Sequence, residues 1–373
     1  MRNTLRSFDL GIIVMVLSII LLFSSGSKGD ASNSSIVIWA ATGGGVSKTE
    51  DGGKTWINYF LGENKWAHSI AVRDSVIWVG TESGVCKSLD GGKTWTTYDS
   101  DDGLPSYHFE SSKDHICVFT LCIQSNGTLW IGCSNLPRRA DTCGKTKDGG
   151  KTWKFYELNK GKMGYDISSI VSANNSIWVG AKGTTAYSSK TSPDYKFGGL
   201  YRTDDNGKTW RVFTTENGLS GNIVSSVFNH GNHIYVITEK GIDLTKNSGK
   251  SWKRFAPNKF KDFDITMYPR SIFVVNDQEI SVAYGTILSV TRDAGKTWND
   301  IDIKSVVKEP GEMQSINSIL VVNKEIWLGV TLRDPNDNPL GGVLKSVDGG
   351  KTWSVYTVHE GVGGYVYTLA IQK

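Results

Sequence analysis

One phrase recurs seven times along this chain: TEDGGKTW at 49–56, SLDGGKTW at 88–95, TKDGGKTW at 146–153, TDDNGKTW at 203–210, TKNSGKSW at 245–252, TRDAGKTW at 291–298 and SVDGGKTW at 346–353. The shared pattern is [ST]-x-D-x-G-K-[TS]-W, and the fifth copy departs from it with Asn247 for Asp and Ser251 for Thr. Its chemistry is that of a tight turn. The carboxylate accepts backbone N–H groups across the turn, and the glycine takes a positive φ. Hydroxyls on either side tie the flanking strands together, and the Trp folds back as a large apolar plug. Trp-to-Trp spacings of 39, 58, 57, 42, 46 and 55 residues mark a repeat architecture.

Outward from each turn lie further repeated texts. An apolar strand precedes it at Ile38-Trp39, Ile77-Trp78, Leu129-Trp130, Ile177-Trp178 and Ile326-Trp327, with Ile234-Tyr235 and ISVAY (280–284) in units five and six. Before that lies another: SIAV (69–72), CVFTLCI (117–123), SSIVS (168–172), VSSVF (224–228), SIFVV (271–275) and SILVV (318–322). Each unit therefore reads as four short strands, a–b–c–d, with the phrase as the c–d turn. The first unit starts at strand b (IVIWA, 36–40), and a lone strand-a text, YVYTLAI at 365–371, is left to complete it. The expected fold is all-β: a single seven-bladed β-propeller of four-stranded blades over 36–373, closed by the C-terminal strand in blade one. Closure would leave no exposed inner edge.

Composition agrees. Over 373 residues, 42 Gly, 13 Trp and 14 Tyr against 8 Pro favour strands joined by tight turns. The balance of 41 Lys+Arg against 37 Asp+Glu gives a net charge of +4, which argues against nucleic-acid binding by bulk charge.

The phrase resembles the Asp-box, or BNR, repeats of sialidases, xyloglucanases, sortilin-type receptors and the photosystem II assembly propeller. That resemblance covers about residues 36–373 and implies a propeller, with no single activity attached. DGLPSYHF (102–109) and ENGLSGNIVSSVF (216–228) also resemble the linker phrase of two-component regulator propellers, which serve as periplasmic ligand sensors.

The first residues read as an address. Arg2 and Arg6 precede an apolar run from Leu10 to Phe23, followed by polar residues to Ser35. A run of 14 residues is short for a membrane span, which needs about 20. Residues 1–31 are therefore expected to be a signal peptide, with an uncleaved anchor as the alternative and the only membrane contact. The rest of the chain is then secreted, periplasmic or at the cell surface. Of the five cysteines, Cys133 and Cys143 flank one loop and are the expected disulfide. Neither their spacing nor a His cluster supports a metal site, and no cofactor is expected.

Asp51, Asp90, Asp148, Asp205, Asn247, Asp293 and Asp348 repeat in every blade and are expected to be structural turn residues. They share the bottom face with the a–b turns. The box lysines make a basic rim there, read as solvated turn residues, with contact to an anionic surface as the functional alternative. The top face, formed by b–c and d–a loops, varies from blade to blade and suits binding. Long b–c loops are expected at 134–141, 184–197 and 332–340. Aligning the starts of the a strands brings together Trp66, His68, Tyr165, Asp166, Asn222, Tyr268, Arg270, Gln314 and Tyr365. Aromatics with scattered polar groups fit a glycan or an extracellular protein partner, and the chain is expected to be a monomer. The acidic turns DPNDNP (334–339) and DSDDG (99–103) read as solvated turns rather than calcium loops.

Sialidase chemistry would need an Arg-Ile-Pro segment, and the nearest text is Tyr268-Pro269-Arg270. A xyloglucanase-like cleft would need a second propeller. Other glycosidases need two placed carboxylates, for which Asp166 with Glu110 or Asp141 are the candidates. The primary expectation is non-catalytic binding through the top face. A glycoside hydrolase and an assembly factor like the photosystem II propeller are the alternatives.

Overall fold

The computed structural model describes residues 36–62, 65–105, 116–134, 142–158, 167–182, 198–260, 271–307 and 311–372. These form seven four-stranded antiparallel sheets arranged as the blades of a propeller. The inner a strands are Val366–Gln372 in blade one, then Ala67–Arg73, Cys117–Ile123, Ile167–Ala173, Val224–His230, Ser271–Val274 and Glu312–Val322 in blades two to seven. The b and c strands of blade one, Val37–Thr42 and Gly45–Thr49, are almost wholly buried, whereas its d strand Ile57–Tyr59 is exposed. This gradient follows from sheet stacking: middle strands are covered on both faces by neighbouring blades, so they read as continuous apolar runs.

Blades meet through apolar layers. Trp39, Ala41 and Val46 of blade one pack with Ala67, Ile70 and Val79 of blade two. Trp130 and Cys143 of blade three pack with Ile167 and Val179 of blade four. A ring ladder runs through these layers. Trp78, Trp130, Trp178 and Trp327 each pack on an aromatic ring of their own d strand and on the box Trp of the next blade, and Trp39 packs on Tyr59. Trp130 meets Tyr156 at 5.6 Å and Trp210 at 6.0 Å; Trp178 meets Phe213 at 5.6 Å and Trp252 at 6.2 Å. Offset and edge-on pairs of this kind contribute ~0.5–1.5 kcal/mol each beyond burial. A c-strand cation lies over the b-strand ring: Lys48 on Trp39, Lys87 on Trp78, Lys145 on Trp130, Arg202 on Trp178 and Lys345 on Trp327. Four of these cations then donate to a backbone carbonyl in the following blade's box turn. Blade six has Ser281 and Val290 at the two positions, and its contact with blade seven is aliphatic, built from Leu288, Ile303, Val307, Met313 and Ile316.

The ring closes as the sequence predicts. Strand Val366–Gln372 pairs antiparallel with Val37–Thr42, placing the C-terminal strand innermost in blade one. Three further contacts lock the seam: Lys345 Nζ donates to the Gly52 carbonyl at 3.1 Å, the Gly363 N–H donates to Ser47 Oγ at 2.9 Å, and Trp39 Nε1 donates to Gln372 Oε1 at 2.9 Å.

The structure overturns two expectations. Cys133 and Cys143 are not bridged. Cys133 stands opposite Thr142 and Cys143 opposite Gly132. Neighbouring residues on a strand face opposite sides, so the two thiols point into different inter-blade layers, toward blades two and four respectively. The sequence 332–340 is not a long loop either. Strands Glu325–Arg333 and Pro339–Ser346 extend into a taller hairpin, closed by a turn in which Asp334 Oδ1 accepts the N–H groups of Asn336 and Asn338. The segments 135–141 and 184–197 lie outside the described residues, as do residues 1–35 with the expected signal peptide. Among the described residues no helix is long and apolar enough to cross a membrane.

Candidate functional site at the channel mouth

At the bottom face every box carboxylate is consumed locally. Asp51 Oδ1 accepts from the Thr55 N–H and from Thr49 Oγ1, both at 2.9 Å, and Oδ2 accepts from Thr55 Oγ1 at 2.6 Å. The Gly53 N–H donates to Thr49 Oγ1 at 2.9 Å, completing the turn. The same bonds recur around Asp90, Asp148, Asp205, Asp293 and Asp348. The threonine hydroxyl bond, then the backbone bond, hold Asp51, Asp90 and Asp293 at a pKa of about 2. Asn247 keeps the geometry with an amide: Oδ1 accepts the Ser251 N–H and Nδ2 donates to Ser251 Oγ. Both oxygens of the box carboxylates are engaged within the turn, as structural turn residues require. DSDDG is likewise spent on a capping box, in which Asp99 accepts from the Asp101 N–H and Asp102 from the Asp99 N–H.

The a strands enclose a central channel with a cavity of about 460 Å³. A repeated irregularity shapes it. In six of the seven a strands a residue is skipped in the pairing register near the top: Tyr367, His68, Phe119, Ser168, Ser225 and Asn317, from blades one to five and seven, the longer blade-seven strand also skipping Gln314. A bulge of this type re-aims the extra side chain, and all six line the channel.

These six divide by chemistry. Ser168 Oγ donates to the Val224 carbonyl at 2.6 Å, Ser225 Oγ to the Ile237 carbonyl at 3.3 Å, and Asn317 Nδ2 to the Val366 carbonyl at 2.8 Å. Their polar atoms stitch strands together. Blades one to three instead present an aromatic arc: the His68 ring lies 4.5 Å from Phe119 and 5.2 Å from Tyr367. His68 Nε2 and the adjacent Ser69 Oγ are buried and have no hydrogen-bond partner. The His68 side chain is only 9% exposed, and the nearest carboxylate, Glu82 Oε1, is 3.6 Å from Nε2. Burial pushes the His68 pKa down to about 4, so the ring is neutral at ordinary pH. Burial also pushes Tyr367 up, with Glu82 and Tyr365 adding to the shift. Buried polar atoms are ordinarily paired, so the orphan Nε2 of His68, a residue of the cavity lining, is a place for a ligand's donor or acceptor, whereas Ser69 Oγ lies against Gly80 and Val118.

Of the residues selected from sequence, His68 lines the channel and Trp66 is 46% exposed at the mouth, its carbonyl accepting the Glu82 N–H. Tyr365 stands apart from the lining: its ring lies 5.4 Å from the Arg333 guanidinium of the blade-seven hairpin. Asn222 serves the d–a turn by accepting the Thr215 N–H, and Gln314 is exposed on its strand. Tyr165, Asp166, Tyr268 and Arg270 lie outside the described residues, as do Glu110 and Asp141. Sequence reasoning missed Phe119, Tyr367 and Glu82. The signal for the first two was present: Phe119 and Tyr367 occupy the place of His68 once the bulge is counted.

Comparison with known proteins places the fold. No family model matches the chain, and no curated sequence does. Among solved structures it is similar to PorZ, a surface component of the type-IX secretion system of Porphyromonas gingivalis (TM-score 0.55, 14% identity), covering 88% of this chain and 51% of that one. It is also similar to the extracellular domain of BT4673 from B. thetaiotaomicron (0.55, 14%), covering 83% of this chain and 36% of that one. YCF48 from Cyanidioschyzon merolae (0.52, 15%) aligns over 84% and 96% respectively, and a further match is YCF48 bound to D1 peptide (0.50, 16%; 80% and 86%). The chain thus spans about half of PorZ and about a third of BT4673. At these identities the shared property is the seven-bladed propeller.

Proposed function

We propose that this chain is a non-catalytic binding propeller of the extracytoplasmic space that holds a glycan or protein partner through its top face. The observation that carries this reading is the channel mouth, where neutral His68 lies between Phe119 and Tyr367 with Nε2 and Ser69 Oγ unpaired. Flat rings receive the apolar face of a sugar or an aromatic or aliphatic side chain, and His68 Nε2 fixes its polar edge. Trp66 extends this surface outward. Arg270 precedes Ser271 as His68 precedes Ser69, so it holds the same place in the repeat's sequence and is assigned to the same site. An extracellular domain and a surface component among proteins of this fold agree with export by residues 1–31, and a peptide-bound relative in fold agrees with a protein partner.

The test is a glycan and peptide array probed with the full chain, with released sugar assayed on each hit. Binding without release is expected, and His68→Ala and Tyr367→Ala should each weaken it at least tenfold with the melting temperature retained. Undiminished binding in both variants would remove the channel mouth from the reading. Sugar release lost in Asp166→Asn would replace binding with hydrolysis; in that case Glu82, a carboxylate at the mouth, becomes the second group to test.

A further inference from the structure

The cation stacked on the b-strand ring recurs in five blades, and its electrostatic surroundings differ among them. In blade one Lys48 pairs with Glu50, in blade four Arg202 with Asp204 at 2.6 Å, and in blade seven Lys345 with Glu325 at 3.0 Å. Each buried or half-buried cation there has a carboxylate of its own. In blade three the residue two places after Lys145, the position of Glu50 and Asp204 in their blades, is Lys147.

More positive charge gathers around it. Lys154 and Lys145 both approach the Tyr156 ring at 5.3 Å, and Lys208 comes from the blade-four box. Together with Trp153 they line a groove of about 320 Å³ between blades three and four on the bottom face. The groove's one carboxylate, Asp205, is already engaged by the Thr203 and Thr209 hydroxyls and by the N–H groups of Lys208 and Thr209. Among the described residues no carboxylate pairs with Lys147, Lys154 or Lys208. Lys145, buried and donating to Asn206, is pushed down to about 8, first by burial and then by Lys147 and Lys154. The repeat supplies its own control: three of the five blades pair this cation with a carboxylate, blade two leaves Lys87 with Leu89 at the equivalent position and no ion pair among the described residues, and blade three alone adds three more lysines.

We propose that this groove binds a tetrahedral oxyanion, the phosphate or sulfate group of a partner molecule. Ammonium groups converging from two blades supply charge-assisted hydrogen bonds to its oxygens and replace the missing carboxylate. The site is separate from the channel mouth, on the opposite face, and does not depend on the function proposed for that mouth. Because the groove is open to solvent, affinity should fall as salt is raised. It should also weaken between pH 7 and pH 9, as Lys145 loses its proton.

The test is calorimetric titration of the full chain with inorganic phosphate, pyrophosphate and sulfate at fixed ionic strength. One saturable site is expected, and preference between the phosphate and sulfate arms identifies the ester. Lys147→Glu, which installs the carboxylate that blade one carries, should weaken binding at least tenfold, and Lys154→Gln severalfold. Lys93→Glu, at an exposed box lysine of blade two, should leave it unchanged. All three sites are on the exposed surface, so unaltered melting temperatures check folding. Absence of saturable binding, or equal loss in Lys93→Glu, would reduce the groove to part of a diffuse basic rim and overturn the proposal.

Discussion

At the scale of single residues, the box aspartates show how one carboxylate organises a turn. Their folded pKa, about 2 at Asp51, Asp90 and Asp293, lies below the ordinary carboxylate value. Depressed acids stabilise the fold fully above the unfolded pKa near 4 and lose that contribution as pH falls toward the folded value. The propeller should therefore lose stability progressively from about pH 4 to pH 2. Asn247 provides the comparison within the molecule, since its amide makes the same turn without titrating. Asp293→Asn is expected to fold and to flatten this acid limb slightly, whereas Asp293→Ala should lower the melting temperature at every pH. Melting temperature measured against pH for the three proteins checks both outcomes; an Asn variant with an unchanged acid limb would contradict the assignment.

At the scale of elements, the ring ladder couples successive blades except at the aliphatic contact of blade six with blade seven. Trp130 is fully buried among Tyr156, Trp210 and the Lys145 ammonium. Trp130→Ala should cost about 3–5 kcal/mol, read from urea unfolding. The loss should exceed that of removing an exposed ring such as Trp66, because only the buried site leaves a cavity. Trp130→Ala also takes away the surface on which Lys145 rests, so oxyanion binding in the blade three–four groove should fall in the same variant. Bulges act at this scale too. In six of the seven inner strands an unpaired residue adds its side chain to the channel lining, whereas blade six reaches the channel through Ser271 without a bulge.

The whole molecule is held by its seam. Gly44 and Gly363 approach so closely that the Gly44 N–H reaches the Gly363 carbonyl at 2.5 Å, and a Cβ on Gly44 would sit 2.5 Å from that oxygen. Both partners in this clash are backbone, so no side chain can move aside. Gly44→Ala is expected to lower the melting temperature clearly, by separating blade one's outer strands from the chain that closes the ring. Deleting residues 362–373 should be far worse, because it exposes the edge of strand Val37–Thr42 to pairing between molecules. Light scattering during refolding would detect that association; a deleted chain that stayed monomeric and folded would contradict the closure argument.

The repeated phrase determined the number of blades, the strand order and the place of ring closure, because each rests on local chemistry. A turn needs its Asp, Gly and hydroxyls within eight residues, and the strands either side carry their own apolar text. His68 and Trp66 were legible for the same reason, since they mark the start of an a strand. What the sequence left open depends on which way a side chain faces. Cys133 and Cys143 flank one loop, yet the strand pleat directs them into different layers. Phe119 and Tyr367 join His68 only because a one-residue bulge turns each of them inward. Lys147 in place of a carboxylate near Lys145 is written in the sequence, but its gathering with Lys154 and Lys208 becomes visible only when blade three is set against blade four across their shared groove. Turn chemistry is read along the chain, whereas facing and charge balance are properties of blades in contact, which the tertiary structure alone decides.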